Sequence, residues 1–212
     1  MSCAKTAWLL LEHFLTVVTI RFGLLIKKVE VMDGKDMDYG ENMDIPLFRV
    51  LEREGKLSVG NLASAGGPIL VVNKGQKDLD FVSKGVFERI LFTTDWSPAS
   101  HRALEYILGF KKLVKELDIV NVIYDKLTVR AIRELKKRLI ETRTRCLDED
   151  IEAEYHLYAG ETASEIILAA EEYDSTAIVM GLTHGQRFRD IFRGRPSCRV
   201  ASRASLPTLI VP

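Results

Sequence analysis

The chain has 212 residues, of which 47% are hydrophobic and 28% charged, with 30 Lys plus Arg balanced by 30 Asp plus Glu. That composition excludes a disordered chain and supplies no global field for a polyanion, so a nucleic-acid partner is not expected. Three cysteines, Cys3, Cys146 and Cys198, are too few and too scattered for a disulfide framework or a CxxC metal site. They indicate unbonded thiols in the reducing cytoplasm.

The first element is AWLLLEHFLTVVTIRFGLLI (7 to 26), nearly long enough to span a bilayer. Glu12, His13 and Arg21 interrupt it, and a central charge costs about 2.5 to 3.5 kcal/mol on insertion scales, so a buried or partner-facing segment is expected. No membrane partner is anticipated. An acidic stretch, MDGKDMDYGENMD (32 to 44), follows, and GQKDLDFVSKG (75 to 85) reads as a linker.

From residue 88 short apolar runs alternate with amphipathic ones. ERILFTTD (88 to 95) predicts a buried strand, and PASHRALEYILGFKKLVKEL (98 to 117) a helix capped by Ser97 and Pro98. IVNVIYD (119 to 125) predicts a second strand, and LTVRAIRELKKRLIETRTRCL (127 to 147) a helix with Leu127, Ile132, Leu135, Leu139 and Ile140 facing the core. IEAEYHLY (151 to 158) alternates as a half-exposed edge strand does. TASEIILAAEEY (162 to 173) is a third helix with a Thr162 to Glu165 capping box, and TAIVMG (176 to 181) a fourth strand. SCRVASRA then predicts a short helix before a fifth strand, PTLIV (207 to 211).

Strands alternating with helices imply an α/β fold with a parallel sheet covered on both faces, and a ligand site beyond the carboxyl ends of the strands where the winding reverses. If the first and fourth strands are central neighbours, Asp95 and the loop from Gly181 border that place.

That loop, GLTHGQRFRDIFRGRPS (181 to 197), combines glycines with arginines, as a phosphate site does. Residues 187 to 203 hold six Arg against one Asp. For most of them a solvated basic face, or pairing with the acidic stretch 146 to 154, is the expected role. The four histidines have no ligand-spaced partners, so no metal site is expected.

The first 86 residues lack the alternation but carry a partial repeat. GKLSVGNLASAGGPILVV (55 to 72) aligns without gaps on GRPSCRVASRASLPTLIV (194 to 211), an offset of 139, with Gly55, Ser58, Ala65, Pro68, Leu70 and Val72 matching Gly194, Ser197, Ala204, Pro207, Leu209 and Val211. Residues 1 to 75 therefore read as a truncated or degenerate second copy, 76 to 85 as the linker and 86 to 212 as the complete domain. The apolar segment Pro207 to Val211 is expected to pair with Pro68 to Val72, or with its counterpart in another subunit.

ERILFTTDWSPASHRALEYI, VNVIYD, YAGETASEIILAAEEYDSTAIVMG and the glycine stretch closing on PTLIVP resemble the universal stress protein family from about residue 86 onward. The resemblance implies a five-stranded sheet in the order 3-2-1-4-5, helices on both faces, and a last strand at a dimer-type edge. It also implies a crevice for ATP or a related adenine nucleotide, with or without magnesium. Nucleotide-binding members carry Gly-x2-Gly-x9-Gly-Ser/Thr after the fourth strand. Gly181 and Gly194 keep their places; His184 stands at the second glycine and Arg195 at the hydroxyl position, unless Gly185 serves as the second glycine. Arg195 could hold phosphate through a bidentate contact, Ser197 restores a hydroxyl, and Pro196 removes an amide.

Thr93 and Asp95 match the end of the first strand, on the ribose and adenine side, and Val122 the strand-two residue whose backbone meets adenine. The alternative for Asp95 is an acid before the helix N-terminus that offsets the dipole of 98 to 117, and for Val122 a core residue. Two functions follow: a nucleotide-binding stress protein that is not a committed enzyme, or a dimeric scaffold of the same family that has lost nucleotide, as His184, Arg195 and Pro196 suggest.

Overall fold

The computed structural model describes residues 29–32, 48–53, 67–73, 85–124, 126–182 and 196–212. Within these, the chain forms strands β1 (Val29–Met32), β2 (Phe48–Arg53), β3 (Ile69–Asn73) and β4 (Arg89–Thr93), then helix α1 (Pro98–Gly109), strand β5 (Glu116–Ile123) and helix α2 (Val129–Asp148). Strand β6 (Glu152–Ala159), helix α3 (Thr162–Glu172), strand β7 (Ala177–Gly181), helix α4 (Pro196–Arg203) and strand β8 (Thr208–Val211) complete it. The apolar segment 7 to 26 and most of the expected linker lie outside the described residues. No described helix is long and apolar enough to cross a membrane.

The strands form one sheet, ordered β1-β2-β3-β8-β7-β4-β5-β6. The last five strands of the chain thus stand in the order 3-2-1-4-5, all parallel, with β4 hydrogen-bonded to β5 on one side and β7 on the other. Winding reverses at β4. The central strands are apolar throughout because helices cover both faces: β4, β7 and β8 are buried over nearly their whole length. On one face Ala103, Leu104 and Ile107 of α1 and Leu139 and Cys146 of α2 meet Ile90, Phe92 and Val179. On the other, Ala163, Ile166 and Ala170 of α3 and Val200 and Ala201 of α4 meet Leu91, Ile178 and Ile210. Cys146 and Cys198 sit in these two opposite layers and are not joined in a disulfide.

The sheet is larger than the five strands expected, and its last strand is not an edge. β3 pairs antiparallel with β8 in the same chain, with Ile69 opposite Ile210, Leu70 opposite Leu209 and Val71 opposite Thr208. Of the two pairings open to PTLIV, the structure takes the one with PILVV. The offset of 139 makes Leu70 and Leu209 equivalent, and it exchanges the other two pairs with one another. The ladder is therefore centred on the repeat. β2 extends it parallel to β3, and β1 closes it antiparallel to β2.

Three local expectations are corrected. The helix expected over 98 to 117 ends at Gly109; Phe110 turns inward, Lys111–Leu113 make a single 3₁₀ turn, and β5 begins at Glu116 rather than at 119. Phe110, Leu113 and Leu117 kept helical spacing while serving a turn and a strand. In α2 only Leu139 and Cys146 are buried, whereas Leu127 and Ile140 are 39% and 48% exposed. A helix of 20 residues is about 30 Å long and overhangs the strands it covers. The Thr162 to Glu165 capping box is replaced by Glu161, whose carboxylate accepts from the backbone N–H groups of Ala163 and Ser164 and from the Ser164 hydroxyl.

Candidate functional site

The crevice lies at the carboxyl ends of β4, β5 and β7. Beyond Thr93, the buried last residue of β4, the Thr94 N–H still donates to the Val120 carbonyl at 2.9 Å, after which the chain turns away. Asn121 fixes this departure: its buried side-chain amide donates to the Thr94 carbonyl at 2.7 Å. The sequence reading missed Asn121, although an amide inside the apolar run IVNVI was a visible signal, since a buried polar group requires a partner.

Parallel strands direct alternate peptides to alternate sides. Val120 faces β4, so Val122 two residues on directs its own N–H and C=O the same way, beyond the point where β4 has turned off. Its side chain packs with the apolar layer under α3. Val122 thus serves as a core residue through its side chain, while its backbone faces the side that β4 has left.

Asp95 is exposed on the turn and its Oδ1 accepts the Ser97 N–H at 2.9 Å. Burial alone would raise its pKa, but hydrogen bonds from the Ser97 side chain and backbone and from Ser100 prevail and hold it below the usual value. Ser97 in turn caps α1, accepting from the Ser100 N–H at 3.3 Å. Asp95 therefore acts on α1 indirectly, by shaping the turn that places the Ser97 cap.

Gly181 ends β7 against this same turn. A Cβ built there would stand 2.3 Å from the Ala99 carbonyl carbon and 2.5 Å from the Ser100 nitrogen, so only glycine lets the strand end abut the first turn of α1. The end of β7 thus abuts the first turn of α1, just after the TTD bend, and residues 183 to 195 lie outside the described residues. Met180 lies beside Thr93 in register, and the Leu182 N–H donates to Val211 O at 2.6 Å.

The loop reaches the described residues again at α4. Pro196 is its first residue, where a missing N–H removes no intrahelical bond, and Ser197 is buried just behind it. The N–H groups of the first turn after Pro196 have no partner within the helix and define an anion-favouring end. His184, Gly185, Gly194 and Arg195 lie outside the described residues, as do Arg187, Arg189 and Arg193.

Arg199 and Arg203 are exposed, as a solvated face requires, and both pair with Glu161, at 2.8 Å and 3.5 Å, rather than with residues 146 to 154. The hydrogen bond from Ser164, together with those from the Ala163 and Ser164 backbone and the charge of Arg199, lowers Glu161 to about 2. Within the acidic stretch, Glu149 pairs with Lys111 and Glu154 with Arg143. No group of three or more metal-ligating side chains occurs among the described residues.

No curated protein matches the chain. Two universal stress proteins from Archaeoglobus fulgidus share the fold at 22% identity. One has a TM-score of 0.59, with 77% of this chain and 60% of its own covered, so the chain spans three fifths of that neighbour. The other has a TM-score of 0.51, with 59% and 99% covered. A universal stress protein in complex with cAMP matches at 20% identity and a TM-score of 0.50, with 59% and 96% covered. The model of the Universal stress protein family matches residues 87–212, the span from just before β4 to the end of β8. With its strand order, its reversal at β4 and this match over more than half its length, the chain belongs to the universal stress protein family.

Proposed function

We propose that the chain is a nucleotide-responsive stress protein that binds one adenine nucleotide, ATP or a close relative, in the crevice between Asp95 and the loop after Gly181. The observation that carries this reading is the approach of Gly181, at the end of β7, to Ala99 in the first turn of α1 at the reversal point. Adenine would sit against the Val122 peptide, ribose near Asp95, and phosphate on the first turn of α4 with Gly194, Arg195 and Ser197, helped by Gly185 or His184. A neighbour of the same fold in complex with cAMP supports the ligand class.

Residues 1 to 75 act, in this reading, as a reduced second copy joined by the linker 76 to 85 to the domain 86 to 212. The symmetric β3–β8 register supports it. The connection from β7 to β8 takes the 26 residues 182 to 207, whereas that from β2 to β3 takes the 15 residues 54 to 68. The shorter connection lacks the span of the glycine loop, so a single nucleotide per chain is expected.

The second reading, a scaffold of the same family without nucleotide, is favoured by the engagement of Asp95 with Ser97 and by the departures at His184, Arg195 and Pro196. Equilibrium binding of labelled ATP, with and without magnesium, separates the two. One molecule per chain at micromolar affinity, abolished by Gly194→Val, supports the first. No binding at millimolar nucleotide supports the second.

A further inference from the structure

On the α1 and α2 face a cavity of about 450 Å³ lies between the two helices, reaching the turn after β4 at Thr94 and Ser100. That volume falls within the range of small-molecule sites, roughly 300 to 1,000 Å³. Its floor is apolar, made by the buried Phe92 and Leu104, and the Thr94 and Ser100 hydroxyls, 3.3 Å apart, supply polar points at one end.

Trp96 forms the wall. Its φ is 57°, a left-handed conformation that costs a residue bearing a Cβ about 1 kcal/mol or more and that glycine would adopt freely. The chain instead keeps a tryptophan there and secures it twice. The indole Nε1 donates to Thr142 Oγ1 at 3.4 Å, and the Arg138 guanidinium lies 5.6 Å from the ring centroid. A strained backbone retained for its side chain marks a place where that side chain is used.

The charges around the cavity are unequal. Arg145 is neutralised across the groove by Glu105 at 2.7 Å, and Glu141 leans toward Lys137 at 3.9 Å. Arg138 has no carboxylate within ion-pairing distance among the described residues, so the Trp96 end carries excess positive charge.

We propose that this groove binds a small amphipathic organic anion, its flat apolar body against Trp96, Phe92 and Leu104 and its acid group on Arg138. Thr94 and Ser100 border both places, but the groove takes its anion on Arg138 and its apolar body on Trp96, neither of which the nucleotide reading uses.

The test uses the full chain with Trp8→Phe, which leaves Trp96 as the single tryptophan. Naphthalene sulfonate is titrated against Trp96 fluorescence, with and without saturating ATP. Saturable quenching is expected, unchanged by ATP. Arg138→Gln, an exposed position whose folding is verified by circular dichroism, should weaken binding about tenfold or more, the loss of one charge-assisted contact. The naphthylmethylammonium cation should bind at least about tenfold more weakly than the sulfonate, for the same reason. Equal affinity for the cation, indifference to Arg138→Gln, absence of saturable quenching, or displacement by ATP would each overturn the proposal.

Discussion

Leu70 and Leu209 face one another at the centre of the antiparallel β3–β8 ladder, and they occupy the same position of the internal repeat. The edge that would otherwise recruit a second chain is covered by a strand of its own. Paired cysteines at these two positions should therefore oxidise within one polypeptide, because directly opposed residues in an antiparallel ladder lie about 4.5 to 5.5 Å apart at Cα, within disulfide reach. Non-reducing electrophoresis of Leu70→Cys with Leu209→Cys should give a monomer of altered mobility; a covalent dimer would show that the strands exchange between chains.

Replacing Gly181 should damage the fold before it damages binding. A Cβ would overlap the Ala99 backbone, which cannot swing aside as a side chain can. Gly181→Ala is expected to cost about 1 to 3 kcal/mol, read as a lowered midpoint in urea. An unchanged midpoint would mean that β7 and α1 stand further apart.

Asn121→Ala removes the amide that holds the Thr94 carbonyl in a buried setting. A loss of about 1 to 3 kcal/mol is expected from chemical denaturation. Nucleotide affinity should fall with it, since the turn carrying Asp95 is released; an affinity unchanged in a destabilised protein would separate the turn from the site.

Glu161 sets an acid-side dependence. Its folded pKa of about 2 lies below the ordinary 4.5, so its contribution is complete above 4.5 and is lost as pH falls toward 2. The stability difference between the parent and Glu161→Gln should be largest above about pH 5 and vanish near pH 2. Parallel acid-unfolding curves for the two proteins would contradict the assignment.

Ser175 offers the opposite sign. Its buried Oγ has no hydrogen-bond partner among the described residues, so Ser175→Ala removes an uncompensated polar atom. The variant should be as stable as the parent or gain about 1 kcal/mol in thermal or chemical melts.

Much of this fold was legible because its central strands are continuous apolar runs closed by polar turns, as in RILFTTD and TAIVMG. Pairing of Pro68 to Val72 with the last strand could be foreseen from the repeat alone. The end of α1 could not, because Phe110 and Leu113 prolong helical spacing into the turn that follows Gly109. Nor could the cap of α3, where Glu161 and Thr162 both suit the position and the longer carboxylate takes two amides at once. At the site, the pairing of the strands that end near Asp95 and at Gly181 was legible from strand order. The contacts of these two residues were not, because Asp95 turns back to Ser97 and Gly181 answers to Ala99. The groove beside Trp96 depends on one backbone torsion, which no spacing rule encodes.

A strand that meets its own copy across a two-fold axis must bear every substitution twice, once on each side. In this chain the two partners are written separately and differ: Ile69 meets Ile210, while the equivalent place across the ladder joins Val71 to Thr208. Either side of the seam is free to change alone, so adaptation at this junction is open to paths that a symmetric pair of subunits is denied.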